Sequence, residues 1–180
     1  VPEENLLLAE NTGALIFNRM MVPERLTSAA GSLGIRSGLE IAMKYSENRK
    51  AFGAKIRVFQ GVSFKVANCL TKLDAARGLI HMAAKQADLD PDARETRRLV
   101  SEAKLFATET AWEIVNDAMQ ILGGIGYTYV YPIEKALRDT RLGLIWTGSN
   151  EVMRMLVQHE AYKKLLAGEG KDRNLELDAI

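Results

Sequence analysis

Apolar residues recur at intervals of three and four along most of this chain, the spacing that returns side chains to one face of an α-helix. Leu26, Ala30, Leu33 and Ile41 mark such a face from Pro23 to about Asn48. Pro23 suits the first helical turn, where a missing N–H costs no hydrogen bond, and a short apolar stretch, Ala14 to Met21, precedes it. Past the break "RKAFG" at Arg49 to Gly53, Val62, Val66, Cys69, Leu73 and Ile80 predict a second helix reaching about Ala87. Asp90-Pro91 reads as an N-cap followed by proline at the first helical position. It opens a third helix with Leu99, Ala103, Phe106, Ile114 and Ile121 on the buried face. Gly123 and Gly124 end that helix, because adjacent glycines carry a heavy backbone-entropy penalty. Pro132 to Arg141 predicts a short helix, and Ser149 to Leu166 a last one with Val152, Leu156 and Val157 inward.

No stretch alternates with period two for long, and the chain shows neither an internal repeat nor a low-complexity tract. Three helices of roughly 25 to 30 residues, each about 40 Å long, and a shorter fourth must bury their stripes on one another. The expected fold class is therefore all-α, an antiparallel four-helix bundle over residues 13–168. Residues 1–12, "VPEENLLLAENT", read as an extended lead-in, and 169–180 as a polar tail that frays.

Composition narrows the function. At 47% hydrophobic residues, 180 residues bury a core without disulfides. The one cysteine, Cys69, lies beside Val66, Leu70 and Leu73 and reads as an inert buried thiol. A reducing compartment suits it: the cytoplasm, or the mitochondrial matrix of a eukaryote. Lys plus Arg (24) and Asp plus Glu (23) nearly cancel, so no basic stripe points to nucleic acid. No apolar run approaches the ~20 residues that span a bilayer, and the chain reads as soluble. With no initiator methionine or signal-like start, it also reads as a piece of something longer.

Metal chemistry finds little support, since His81 and His159 are far apart and no Glu-x-x-His occurs. "GGIGY" at Gly123 to Tyr127 follows a helix rather than a strand, so it is not the dinucleotide fingerprint. Glycine turns nonetheless let a ligand approach the backbone closely. Three helix-breaking turns invite joint inspection: "NRKAFGAKIRVFQ", "QILGGIGY" and "WTGSNE".

In this order and at these distances the three turns resemble the carboxy-terminal helical domain of the acyl-CoA dehydrogenase family, and the likeness covers nearly the whole chain. "VPEENLL" resembles the family's crossing from its middle β domain, and Arg49 to Gln60 its R-x-x-F-G flavin motif. Gln120 to Gly126 resembles its Q-x-x-G-G-x-G turn, and "YPIEKALRD" its approach to the catalytic loop. The resemblance implies an FAD enzyme that oxidises an acyl-CoA thioester to its 2,3-enoyl form. A carboxylate removes the α proton, hydride leaves the β carbon for flavin N5, and electrons pass to an electron-transferring flavoprotein. It further implies that Arg49, Phe52 and Gln60 meet the FAD of a neighbouring subunit. Gln120, Gly123 and Gly124 would meet its adenine end and pyrophosphate across an interface, and Ser149 and Glu151 would contact the cofactor from a helix start. Cofactor binding then requires a homo-oligomer, in this family usually a dimer of dimers. From the residues alone, Arg49 equally reads as a charge complementing a helix dipole, Phe52 as core and Gln120 as solvated.

One departure directs the search for the base. Many family members place the catalytic glutamate before the glycine of a Y-E-G-T loop, where this chain has Trp146-Thr147-Gly148-Ser149. Threonine does not ionise usefully near neutrality. A minority, resembling isovaleryl- and long-chain acyl-CoA dehydrogenases, carries the base on the first long helix before an arginine, and "VPERL" places Glu24 before Arg25. Glu24 is thus the expected base, with Arg25, Trp146 and Gly148 shaping the substrate pocket; alone, Glu24 also reads as a helix-start carboxylate. Two alternatives stand beside this reading. One is a non-catalytic helical assembly domain of the same fold; the other is a relative doing different flavin chemistry, such as monooxygenation or nitroalkane oxidation.

Overall fold

The computed structural model describes residues 2–168. Among them six α-helices follow one another: α1 (Gly13–Ser32), α2 (Arg36–Asn48), α3 (Gln60–Leu89), α4 (Arg94–Leu122), α5 (Ile133–Gly143) and α6 (Asn150–Leu166). A small antiparallel hairpin, β1 (Lys50–Ala51) and β2 (Ala54–Lys55), joins α2 to α3. The all-α architecture matches the expectation. α4 is the axis, packing against α1, α2, α3, α5 and α6. Its buried alanines, Ala103, Ala107, Ala111 and Ala118, let neighbouring backbones approach closely. α3 runs antiparallel to it, for Lys65 pairs with Asp117 and Lys72 with Glu113. Two apolar clusters fill the interior. One is built on Leu39, Leu73, Ile114 and Ile133, the other on Ala29, Ala76, Ala83 and Val100.

Four boundaries differ from the sequence pattern. α1 starts at Gly13 and runs through Pro23. Proline's fixed φ is compatible with a helix, and Pro23 and Arg19 are exposed, so the carbonyl left without its N–H stays in water. The expected first helix is also two helices, divided by a 3-10 turn at Leu33–Ile35 beside Gly31 and Gly34, which lower helix propensity there. Asp90 does not cap α4 directly: its Oδ1 accepts the N–H groups of Asp92 (3.0 Å) and Ala93 (3.1 Å), a turn that delays the helix to Arg94. The hairpin escaped notice because strands of two residues cannot display alternation.

Two helix faces are also rotated by about one residue. Ala29 rather than Ala30 is buried in α1, whereas α4 keeps the expected face, with Leu99, Ala103, Ile114 and Ile121 buried and Phe106 alone of the five exposed. In α6 the fully buried residue is Met153, while Val152 is exposed and Leu156 and Val157 are half-buried. Cys69 is buried, and burial together with the nearby Asp117 carboxylate pushes its thiol up to about 11, which keeps it protonated and inert. The polar tail expected over 169–180 lies outside the described residues.

Candidate active site

One edge of α1 carries Glu24, Ser28 and Gly31, residues too small or too polar to close against α5. The result is a groove of about 560 Å³ between α1, α5 and the loop that follows α5. Glu24, Trp146 and Thr147, separated by more than a hundred positions in sequence, line it together. Trp146 Nε1 donates to Ser28 Oγ (3.0 Å), which fixes the indole at the groove wall. A second carboxylate, Asp139, also lines the groove, but it is ion-paired with Lys135 one helical turn away. Glu24 is exposed and makes no ion pair among the described residues.

The loop is strained. Thr147 has φ 54°, a left-handed conformation that a β-branched residue adopts only when its surroundings dictate it, and Gly148 follows at φ 93°. That φ favours glycine, and an added Cβ would also lie 2.6 Å from Met153 Cε, so the methionine methyl would have to shift. Two buried cations brace this turn from behind. Arg25, turned inward, donates from Nε to the Thr147 carbonyl (3.1 Å). Lys104 of α4, fully enclosed, donates from Nζ to the Gly148 carbonyl (2.9 Å) and to Asn150 Oδ1 (2.8 Å). Asn150 Nδ2 in turn donates to Thr108 Oγ1 (3.1 Å). Burial lowers the affinity of both cations for their protons: Arg25 is pulled down by desolvation and then by Arg97, and Lys104 to about 8 by desolvation and then by Arg25. The Thr147 hydroxyl is buried without a hydrogen-bond partner among the described residues.

Arg25 therefore serves the loop rather than facing the groove, and Gly148 is the hinge of the turn rather than part of the groove wall. Ser149 is the residue before α6, and Glu151 lies in its first turn. Its own backbone N–H and then the Ser149 hydroxyl hold the Glu151 carboxyl below the usual carboxylate range.

Arg49, Phe52, Gln60, Gln120, Gly123 and Gly124 gather elsewhere. All are exposed, and the antiparallel pairing of α3 with α4 puts the start of one beside the end of the other. Phe52 is 97% exposed and touches Phe59 edge-on, so it is not core. With Gly53 it forms a two-residue turn in which both φ angles are positive, 52° and 80°, a geometry that favours Asn-Gly and strains Phe. Glu47 bridges Lys55 and Arg57 and ties the hairpin to α2. Lys104 and Asp139 were missed in the sequence. Lys104 had a signal: it falls in register with Val100, Ala107 and Ala111 on the buried face of α4.

A family model for the acyl-CoA dehydrogenase C-terminal domain matches residues 11–162. An acyl-CoA dehydrogenase of Bacillus subtilis is 40% identical over 169 residues, covering 93% of this chain and 43% of that protein. A 3-(aryl)acrylate reductase of Clostridium sporogenes is 38% identical over 164 residues, covering 91% of this chain and 43% of that protein. Among solved structures, butyryl-CoA dehydrogenase from Megasphaera elsdenii superposes with a TM-score of 0.83 at 33% identity, covering 90% of this chain and 42% of that one. The chain thus spans less than half the length of these relatives.

Proposed function

This chain belongs to the acyl-CoA dehydrogenase family, as its C-terminal domain, and on that premise we propose that it supplies the base and the loop for α,β-dehydrogenation of an acyl-CoA thioester. The observation that carries the reading is the meeting of Glu24 with Trp146 and Thr147 in one groove, where the usual loop glutamate is replaced by Thr147. Glu24 is the carboxylate placed to take the α proton. Trp146, anchored on Ser28, walls the groove. A weakly acidic α proton leaves only if the thioester oxygen is stabilised, and strained loops of this kind present backbone N–H groups for that purpose.

FAD, when bound, supplies the hydride acceptor. The residues fit such a group. A fully exposed phenylalanine held in a strained turn, with Arg49, Gln60 and a glycine turn at the same end of the bundle, is a surface suited to an extended aromatic cofactor shared with a neighbouring copy. Ser149 and Glu151 meet a cofactor at the other site. The proposed assembly is a homotetramer, the substrate an acyl-CoA, and the electron acceptor an electron-transferring flavoprotein. The reductase relative favours a second reading, in which the same groove runs toward saturation with Glu24 returning the α proton. Supplying a reduced electron donor with an enoyl-CoA distinguishes the two directions.

The test is anaerobic flavin bleaching by a panel of acyl-CoA thioesters. Glu24→Gln keeps its flavin but slows bleaching by about 10²- to 10⁴-fold, the usual contribution of a general base. Asp139→Asn retains the rate. Normal bleaching in Glu24→Gln would exclude Glu24 as the base.

A further inference from the structure

Lys104 is a buried cation that meets no carboxylate among the described residues. Its ammonium is enclosed completely, and its acceptors are neutral, the Gly148 carbonyl at 2.9 Å and Asn150 Oδ1 at 2.8 Å. Holding a charge in a dry interior on neutral acceptors is costly, and an apolar side chain of the same volume would fill this space without that penalty. What the ammonium adds is directional. Arg25 and Lys104 capture the carbonyls of two consecutive residues, Thr147 and Gly148, at the two left-handed positions of the loop. Because trans peptide units place C=O and N–H on opposite sides, the Gly148 and Ser149 N–H groups then point away from both cations. Neither finds an acceptor among the described residues.

We propose that Lys104 is a positioning residue, whose side-chain amine, charged or neutral, donates to the Gly148 carbonyl and fixes that peptide, and with it the strained turn that aligns Trp146 and Thr147 with Glu24. The functional part rests on the reading of this groove as the reaction site; the structural part does not. The charged groups facing Lys104 are Arg25 from α1, Glu109 from its own helix and Glu151 from α6. Burial, with Arg25 nearby, sets the pH at which Lys104 loses its charge. Its proton leaves at about 8 while the loop is closed, against 10.5 in water. Any opening that wets the amine therefore takes up a proton in that window. Rising pH then disfavours opening, by up to tenfold per pH unit.

The experiment is amide hydrogen exchange of residues 144–152 in the flavin-loaded protein that carries this chain, corrected for intrinsic exchange, with and without Lys104→Met. The substitution raises loop opening at least tenfold at pH 7 and removes the pH dependence seen in the wild type, while the α4 amides near Ile114 are unchanged. The bleaching rate at saturating butyryl-CoA falls about 10²-fold, as expected for a misplaced wall, with half-saturation within about threefold. Loop exchange identical in the variant and the wild type overturns the proposal. If Lys104→Met does not fold, the wild-type pH series decides alone: opening that declines from pH 8 to 10 supports the assignment, and opening independent of pH overturns it. A wild type that no acyl-CoA bleaches sinks the proposed dehydrogenation and leaves the exchange measurement to judge Lys104.

Discussion

Gly148 shows how a single residue sets the shape of the groove. At φ 93° a side chain is strained by the backbone alone, and an added Cβ, 2.6 Å from Met153 Cε, would also push that buried methyl aside. Gly148→Ala is expected to destabilise the chain by about 1–3 kcal/mol, the sum of left-handed strain and overpacking against a fully buried methionine. Urea unfolding measures it, and a loss below about 0.5 kcal/mol would show that the turn relaxes freely. At this scale Glu24 and Trp146 were legible, because their residue types and spacing carry the family likeness. Arg25 was read as a pocket residue rather than a brace for the loop, and Lys104 was missed. That a cation turns inward to hold a carbonyl depends on which side of a helix faces the core, and a misreading of one position, as at Ala29 and Ala30, moves a side chain by 100°.

Among the elements, the long helices were readable because α3 and α4 bury regular stripes over 30 and 29 residues. Shorter features were not. The break between α1 and α2 rests on a 3-10 turn that leaves the apolar spacing almost unchanged, and the hairpin has only two paired residues on each side. That hairpin is where local preference and structure disagree most. Phe52 occupies a turn position that suits Asn, at φ 52° and with 97% of its surface exposed. Phe52→Gly relieves the strain, worth about 1–3 kcal/mol. It also loses the edge contact with Phe59, worth about 0.5–1.5 kcal/mol, and adds backbone entropy to the unfolded chain. These terms nearly cancel, so thermal unfolding of the 180-residue chain is expected to shift by less than about 1 kcal/mol. Flavin retained by the protein on purification is expected to fall. A stability loss above about 2 kcal/mol would instead mark Phe52 as part of the fold.

For the whole molecule, α4 acts as a ruler between two surfaces. The loop is fastened at Lys104 and Thr108, whereas Gln120 and Gly123 lie at the helix end. At 1.5 Å per residue the separation is on the order of 25 Å. On the proposed function, the groove with Ser149 and Glu151 would serve one cofactor, and the Arg49, Phe52 and Gly123 end would reach another held by a neighbouring copy. Large apolar side chains left exposed on several helices, among them Phe17, Phe64, Met82 and Met155, are consistent with extensive association. On that proposal each surface in this chain is only one wall of a cofactor site, and a single wall offers too few contacts to offset the freedom that a bound ligand loses. The 180 residues alone are expected to bind FAD weakly, with a dissociation constant above about 100 μM, where binding is worth less than about 5.5 kcal/mol. Titrating the isolated chain into FAD and following flavin fluorescence checks this. A yellow preparation carrying one FAD per chain would show instead that this domain encloses a complete site.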